Sequence, residues 1–172
     1  LVSKLHQKET AAKPRLKRPS AELKVPSKVV ADYTKTQNHL LSLALKQPGQ
    51  RGVLAKVTPE MLIGDDAKTL YAFLQEHPDF AGDPATAAKL QPIGDYVKIL
   101  LLQYEELYDT VEPSELQYEA SRLQAKLIEQ YVKMQKQRLV HQMQSADEAG
   151  TNELLEKAKQ LDHLLKTYKG GA

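Results

Sequence analysis

Apolar side chains recur along most of this chain at the spacing of an α-helix. Tyr33, Gln37, Leu40, Leu41 and Ala44 follow an i, i+4, i+7, i+8 rhythm, and Leu43 and Leu45 broaden that stripe, so burial on more than one side is expected. Pro48-Gly49 ends the pattern, with proline stopping the hydrogen-bond ladder and glycine available for a left-handed cap. Thr58-Pro59-Glu60-Met61 reads as a cap followed by proline at the first helical position. Asp65 is placed to cap a helix containing Ala67, Leu70, Tyr71 and Leu74, which His77-Pro78 stops. Asp83-Pro84 repeats the cap-then-proline signature and opens a turn or short helix reaching Leu90. Ile93, Tyr96, Val97, Leu100, Leu101, Tyr104, Leu107 and Tyr108 then fall on one wide helical face, as a central bundle helix requires.

The last third has another design. From Glu112-Pro113 to Gly150 the chain contains no Gly and no further Pro, and Leu116, Ala120, Leu123, Leu127, Tyr131 and Met134 stay in helical phase. A helix running to about Ala146 would measure ~50 Å at 1.5 Å per residue, so its distal part must project from the bundle. Asp147-Glu148-Ala149-Gly150 is the expected reversal. Leu154, Ala158, Leu161, Leu165 and Tyr168 then repeat at 4, 3, 4, 3, the seam of a helix packed on another helix. The fold class expected is therefore all-α: a small helical bundle, then a long helix, then a C-terminal antiparallel helical hairpin.

Composition supports the helical reading. The chain of 172 residues has 26 Leu against 10 Val and 4 Ile, with only 2 Phe, whereas strands favour β-branched and aromatic side chains. With no Cys, disulfides, thiolate zinc sites and a cysteine nucleophile are excluded. The longest apolar run, Ile99-Leu100-Leu101-Leu102, is far short of the roughly 20 residues that span a bilayer. The N-terminus lacks the layout of a signal peptide and begins with Leu, so a cytoplasmic piece of a longer polypeptide is expected.

Charge divides the chain in three. Residues 1–31 carry eight basic and two acidic side chains together with Pro14, Pro19 and Pro26, and read as an exposed basic linker. Residues 32–111, the bundle, carry seven basic and eleven acidic side chains; residues 112–172, the long helix and hairpin, carry nine of each. Lys13, Arg15, Lys17 and Arg18 have the density of a nucleic-acid contact, and equally of a soluble tether, since no aromatic lies among them to stack on bases. Tyr96, Tyr104 and Tyr108 read either as a stacking platform or as core residues whose hydroxyls reach water.

Catalytic signatures are absent from the sequence: no GxxxxGK, GxGxxG, GxSxG or HExxH occurs. His6, His39, His77, His141 and His163 are too far apart to make a local metal motif and read as surface or cap residues. Asp65 and Asp66 are accounted for by a helix start and its dipole, without an ion. No catalytic residue, metal or cofactor is expected in this segment.

What stands out is surplus apolar surface on the hairpin. Leu155 and Leu164 lie off the seam, beside Leu139 and Met143 on the opposing arm, and a two-helix unit has few interior positions. These side chains are covered either by folding back on the bundle or by a partner; burial of about 100 Å² of apolar surface contributes roughly 2.5 kcal/mol, enough for four of them to anchor an association in the second case.

Leu40-Leu41-Ser42-Leu43-Ala44-Leu45-Lys46-Gln47-Pro48, Thr58-Pro59-Glu60-Met61-Leu62 and Leu70-Tyr71-Ala72-Phe73-Leu74-Gln75, in this order, resemble the C-terminal helicase-binding domain of bacterial DNA primase over about residues 32–170. The amino-terminal domain of the replicative helicase has a related helical arrangement. The approach Lys17-Arg18-Pro19-Ser20, the long helix and the terminal hairpin favour primase, while Gly49-Gln50-Arg51-Gly52 departs from the family pattern. The resemblance implies a module without chemistry of its own, the zinc and magnesium sites belonging to upstream domains of the parent primase. It implies a hexameric replicative helicase as partner, bound by apolar hairpin residues among Leu139, Met143, Leu154, Leu155, Leu161, Leu164, Leu165 and Tyr168, some of which must instead close the hairpin. The reading from another class is a helical nucleic-acid-binding module using the basic arm with Lys133, Lys136 and Arg138.

Overall fold

Helix α1 (Ser27–Lys46) opens the described part of the chain, residues 27–170 of a computed structural model. Residues 27–31, expected in the linker, form its first turn, because Pro26 is the last residue that obstructs a helix and nothing after it does. Leu40, Leu41, Ser42, Leu43, Ala44 and Leu45 are all buried in succession, so the C-terminal half of α1 is covered on every side. It is the central helix.

The cap expected at Pro48-Gly49 is not there. The chain turns into a 3₁₀ segment (Pro48–Lys56), and among the described glycines Gly64 alone has a positive φ, 97°. Arg51 does the capping instead. Its Nε donates to the carbonyl of Ala44 at 2.7 Å and its Nη2 to that of Leu45 at 3.0 Å, while Nη1 reaches the carbonyls of Pro78 at 2.8 Å and His77 at 3.4 Å. A guanidinium thus satisfies orphan carbonyls at the end of one helix and just past the end of another, where the dipole favours a cation. Burial pulls its pKa down, with Asp79 opposing.

Residues 48–64 have only 3₁₀ turns, so side chains satisfy part of their backbone. Tyr33 donates to the carbonyl of Met61; Gln37 both donates to the carbonyl of Ile63 (3.0 Å) and accepts from its N–H (2.7 Å); Tyr71 donates to the carbonyl of Val57 (2.5 Å). Gln124 donates to the carbonyl of Val53 from the far side.

Helix α2 (Asp65–Glu76) starts one residue earlier than expected. Gly64 occupies the cap position, without a side-chain hydrogen bond, and Asp65 and Asp66 sit in the first turn, where negative charge faces the helix dipole. His77 closes α2 at the expected place. Asp83 does cap: its Oδ1 accepts from the N–H of Ala85 at 3.0 Å, ahead of 3₁₀ turns at Pro84–Thr86 and Ala88–Ile93.

Helix α3 (Gly94–Leu107) buries Val97, Leu100 and Tyr104 towards α1, with Ile93 and Tyr108 at its ends; Leu107, expected on this face, points outward. The tyrosine hydroxyls meet α1 rather than water. Tyr96 donates to Asn38 Oδ1 at 2.7 Å, Gln47 Nε2 donates to Tyr104 Oη at 2.5 Å, and Tyr108 Oη shares a 2.6 Å hydrogen bond with His39 Nδ1. His39 is therefore half-buried in a helix–helix contact, and the reading of it as a simple surface or cap residue is corrected. Burial pushes the Tyr96 and Tyr108 hydroxyls up to about 12.

Burial, then Lys35, holds His39 below its ordinary value, with Glu119 opposing and Arg122 and Lys126 reinforcing. The unfolded chain then binds a proton near pH 6.5 that the native ring resists, so this contribution is complete above that pH and is lost as pH falls through and below it. Replacing His39 by Gln is expected to flatten the decline of melting temperature between pH 7 and 5, with little change in slope above pH 7.5; an identical profile for the two proteins would refute the assignment.

Helix α4 (Pro113–Met143) spans 31 residues, ~46 Å at the standard rise. It runs antiparallel to α1: Asp32 on α1 pairs with Lys126 (3.8 Å) and accepts from Gln130 (2.7 Å), while His39, two turns on, feels Glu119 and Arg122. One hydrophobic core runs from Tyr33 to Met134, so it crosses residues 111 and 112 and takes in the first two-thirds of α4. Helix α5 (Glu148–Gly170) returns along α4, and no strand occurs among the described residues.

Candidate partner-binding surface

The hairpin is built by its turn. Gln144, Ser145 and Ala146 close a loose 3₁₀-like end of α4, and Asp147 then caps α5, its Oδ1 accepting from the N–H of Gly150 at 2.7 Å and its carbonyl from Thr151 at 2.8 Å. Gly150, expected in the reversal, lies in the first turn of α5, because the Asp147 cap begins the helix before the glycine is reached.

Helix α5 is tied down mainly over its C-terminal half. Lys136 pairs with Asp162, Tyr168 Oη donates to the carbonyl of Ser121 at 3.4 Å, and Lys56 Nζ stands 5.2 Å above the Tyr168 ring. Leu161, Leu164, Leu165 and Tyr168 pack against the core while staying half-buried. A groove of about 450 Å³ remains between these helices and the Pro59–Met61 turn, lined by Met61, Tyr131, Leu139, Lys157, Leu161 and Leu164 among others. No described residue of α5 is fully buried.

These positions sort the expected contact residues. Leu139 is 8% exposed and belongs to the interior. Leu161, Leu164, Leu165 and Tyr168 line the seam between α5 and the body. Met143 and Leu154 are half-buried near the tip, and Leu155 is 47% exposed there. Val140, 58% exposed on the last turn of α4, joins them; its sequence position beside Leu139 carried that signal, since adjacent helical residues point about 100° apart and only one of the two enters the interior. The outward apolar residues at the tip are thus Val140 and Leu155, with Met143 and Leu154 half-buried. Lys13, Arg15, Lys17 and Arg18 lie outside the described residues.

The bundle has apolar surface of its own in Ile99 and Leu102, one turn apart on α3 and more than half exposed. A second cavity, about 460 Å³, opens where α3 gives way to α4, lined by Leu107, Tyr108, Val111, Ser114, Tyr118 and Glu119 among others. Among the described residues no group of three His, Asp or Glu side chains is placed to hold a metal ion, and no helix is long and apolar enough to cross a membrane. Comparison with protein-family models, with characterised proteins and with solved structures found no match to this chain.

Proposed function

We propose that this chain is the helicase-binding module of a DNA primase, a cytoplasmic adaptor that tethers the primase to a hexameric replicative helicase at the fork while RNA primers are made. The observation that carries the reading is the outer end of the hairpin, where Val140, Met143, Leu154 and Leu155 bring apolar surface beyond the last buried position of α4, Leu139. Val140 and Leu155, the exposed pair among them, are not covered by the fold, and a docked partner helix would remove them from water. The order of elements, a bundle followed by a long helix and a hairpin, agrees with the resemblance over residues 32–170.

In this reading the module performs no chemistry, and zinc and magnesium belong to upstream domains. Its mechanism is positional: holding the polymerase beside newly exposed template raises its effective concentration without altering its active site. The bundle, with Ile99 and Leu102 exposed, is the part that would modulate the helicase.

The test is capture by a hexameric replicative helicase in moderate salt. Truncation before Gln137 abolishes capture in this reading, but it also strips α5 from the core, so surface variants are the cleaner instrument. Val140→Glu with Leu155→Glu is expected to weaken capture at least tenfold while leaving the melting temperature within about 2 °C, since both side chains face solvent. Undiminished capture by a folded double variant would end the proposal.

A further inference from the structure

Pro113 makes the corner between α3 and α4. Its ring keeps the preceding residue extended, Glu112 at φ −64° and ψ 146°, so the chain turns there and the start of α4 comes up against the end of α3. Tyr108 takes the buried position at this end, which leaves Leu107 outward. Together with Val111 and, from α4, Tyr118, these residues line the cavity of about 460 Å³ at the corner, within the ~300–1,000 Å³ range of ligand sites. Leu107 is 47% exposed and Tyr118 72%, so an aliphatic and an aromatic side chain of one concavity are both left to water.

The sequence that builds the corner carries one sign of charge. From Glu105 to Glu119 it holds Glu105, Glu106, Asp109, Glu112, Glu115 and Glu119 and no Lys, Arg or His. Glu119 is committed to Arg122, through contacts of 2.8 and 2.6 Å. The other five are exposed, and none of the described ion pairs involves them. Glu115 is the one of these five that lines the cavity. They are spread along the corner, and no three of them are placed to hold a metal ion.

Apolar lining and charge together select the occupant. A neutral helix would cover Leu107 and Tyr118 but take Glu115 out of water without a partner. An anionic segment is repelled, and a small hydrated cation has no use for the apolar lining. A cation on an apolar stem uses every part: the stem lies against Leu107 and Val111, the head meets Glu115, and the Tyr118 ring attracts the charge. Arginine fits better than lysine, since its planar head both stacks on a ring and grips a carboxylate with two donors. The fold makes each of these contacts elsewhere, with Lys56 5.2 Å above the Tyr168 ring and Arg122 on Glu119. Glu105, Glu106, Asp109 and Glu112 call for more than one cation, which a polypeptide supplies.

We infer that the α3–α4 corner, with Leu107, Val111, Glu115 and Tyr118, is a docking site for a basic polypeptide segment of a partner protein, anchored by one arginine in the cavity. Further basic residues of that segment face the carboxylates from Glu105 to Glu112. Tyr118 lies 22 residues before Val140, ~33 Å along α4, so the site is separate from the hairpin tip and does not rest on the adaptor reading.

The experiment is fluorescence anisotropy of a labelled twelve-residue peptide of alternating arginine and alanine with the full chain in moderate salt. Glu115→Gln and Tyr118→Ala are each expected to weaken binding about tenfold, and Tyr118→Phe, which keeps the ring, less than about twofold. The parent is expected to prefer this peptide about fivefold over its lysine counterpart, and Tyr118→Ala to lose the preference. Glu153→Gln removes the same charge from an exposed position on α5 and should change affinity less than about twofold, because salt screens it from the corner. Equal losses for Glu153→Gln and Glu115→Gln would mean general attraction to an acidic surface and overturn the assignment. So would unchanged affinity in Glu115→Gln and Tyr118→Ala chains that melt with the parent, or displacement of the peptide by spermidine at equal charge concentration. A large gain in affinity on replacing Lys13, Arg15, Lys17 and Arg18 by Gln would show that the chain's own basic arm is the occupant, and would overturn it too. Helicase capture by Glu115→Gln is expected to stay at the parent level, so this proposal and the adaptor reading fail separately.

Discussion

Replacing Arg51 by Met is expected to destabilise the chain by about 3 kcal/mol, within the range set by losing several charge-assisted hydrogen bonds at once. The guanidinium, 8% exposed, serves the carbonyls of Ala44, Leu45, His77 and Pro78. Met preserves the length and apolar stem but leaves the carbonyls of Ala44, Leu45 and Pro78 without this donor, while that of His77 keeps the N–H of Phe80 at 3.1 Å. The loss is moderated because burial already opposes the Arg51 charge, so removing it relieves some desolvation. For a domain of this size the change corresponds to a fall in melting temperature of about 6–12 °C. Arg51→Lys is expected to recover less than half of that, since a single ammonium cannot serve four carbonyls spread over the ends of two segments. Thermal and urea unfolding measure both, and a Met variant melting within 2 °C of the parent would show that water supplies the missing donors.

Arg51 also marks the limit of what the sequence discloses. Element types were legible because helical periodicity is local: the α1 stripe, the α3 face and the phase of α4 are written in side-chain spacing. Caps were legible only where the capping group adjoins the helix, as Asp83 does for Ala85. The end of α1 is closed by a residue whose other two acceptors lie 26 and 27 positions away, and no local rule finds that. The same holds for Tyr96, Tyr104 and Tyr108, whose spacing announces a buried face but not that their hydroxyls pair with Asn38, Gln47 and His39. On the hairpin, sequence supplied the surplus of leucines; deciding between Leu139 inside and Val140 outside took the packing of α5 against the body.

The second large effect concerns that packing and separates stability from capture. Leu127→Ala removes three carbons from a position with no exposure, midway along α4 where the core of the bundle continues into the long helix. Neighbours on close-packed helices relax only partly into such a space, so the cost combines lost transfer energy with a cavity and is expected at about 3 kcal/mol. That lowers the melting temperature by about 6–12 °C. At temperatures well below this reduced midpoint the exposed tip residues Val140 and Leu155 keep their places, because neither contributes to the core that Leu127 joins. Capture by a replicative helicase at 10 °C is therefore expected within twofold of the parent, the reverse of the pattern for the tip variants, which keep their stability and lose the partner. Loss of capture by a fully folded Leu127→Ala chain would mean that the partner reads the body beneath the hairpin, and the contact surface would then move from the tip to the groove lined by Met61, Tyr131 and Leu164.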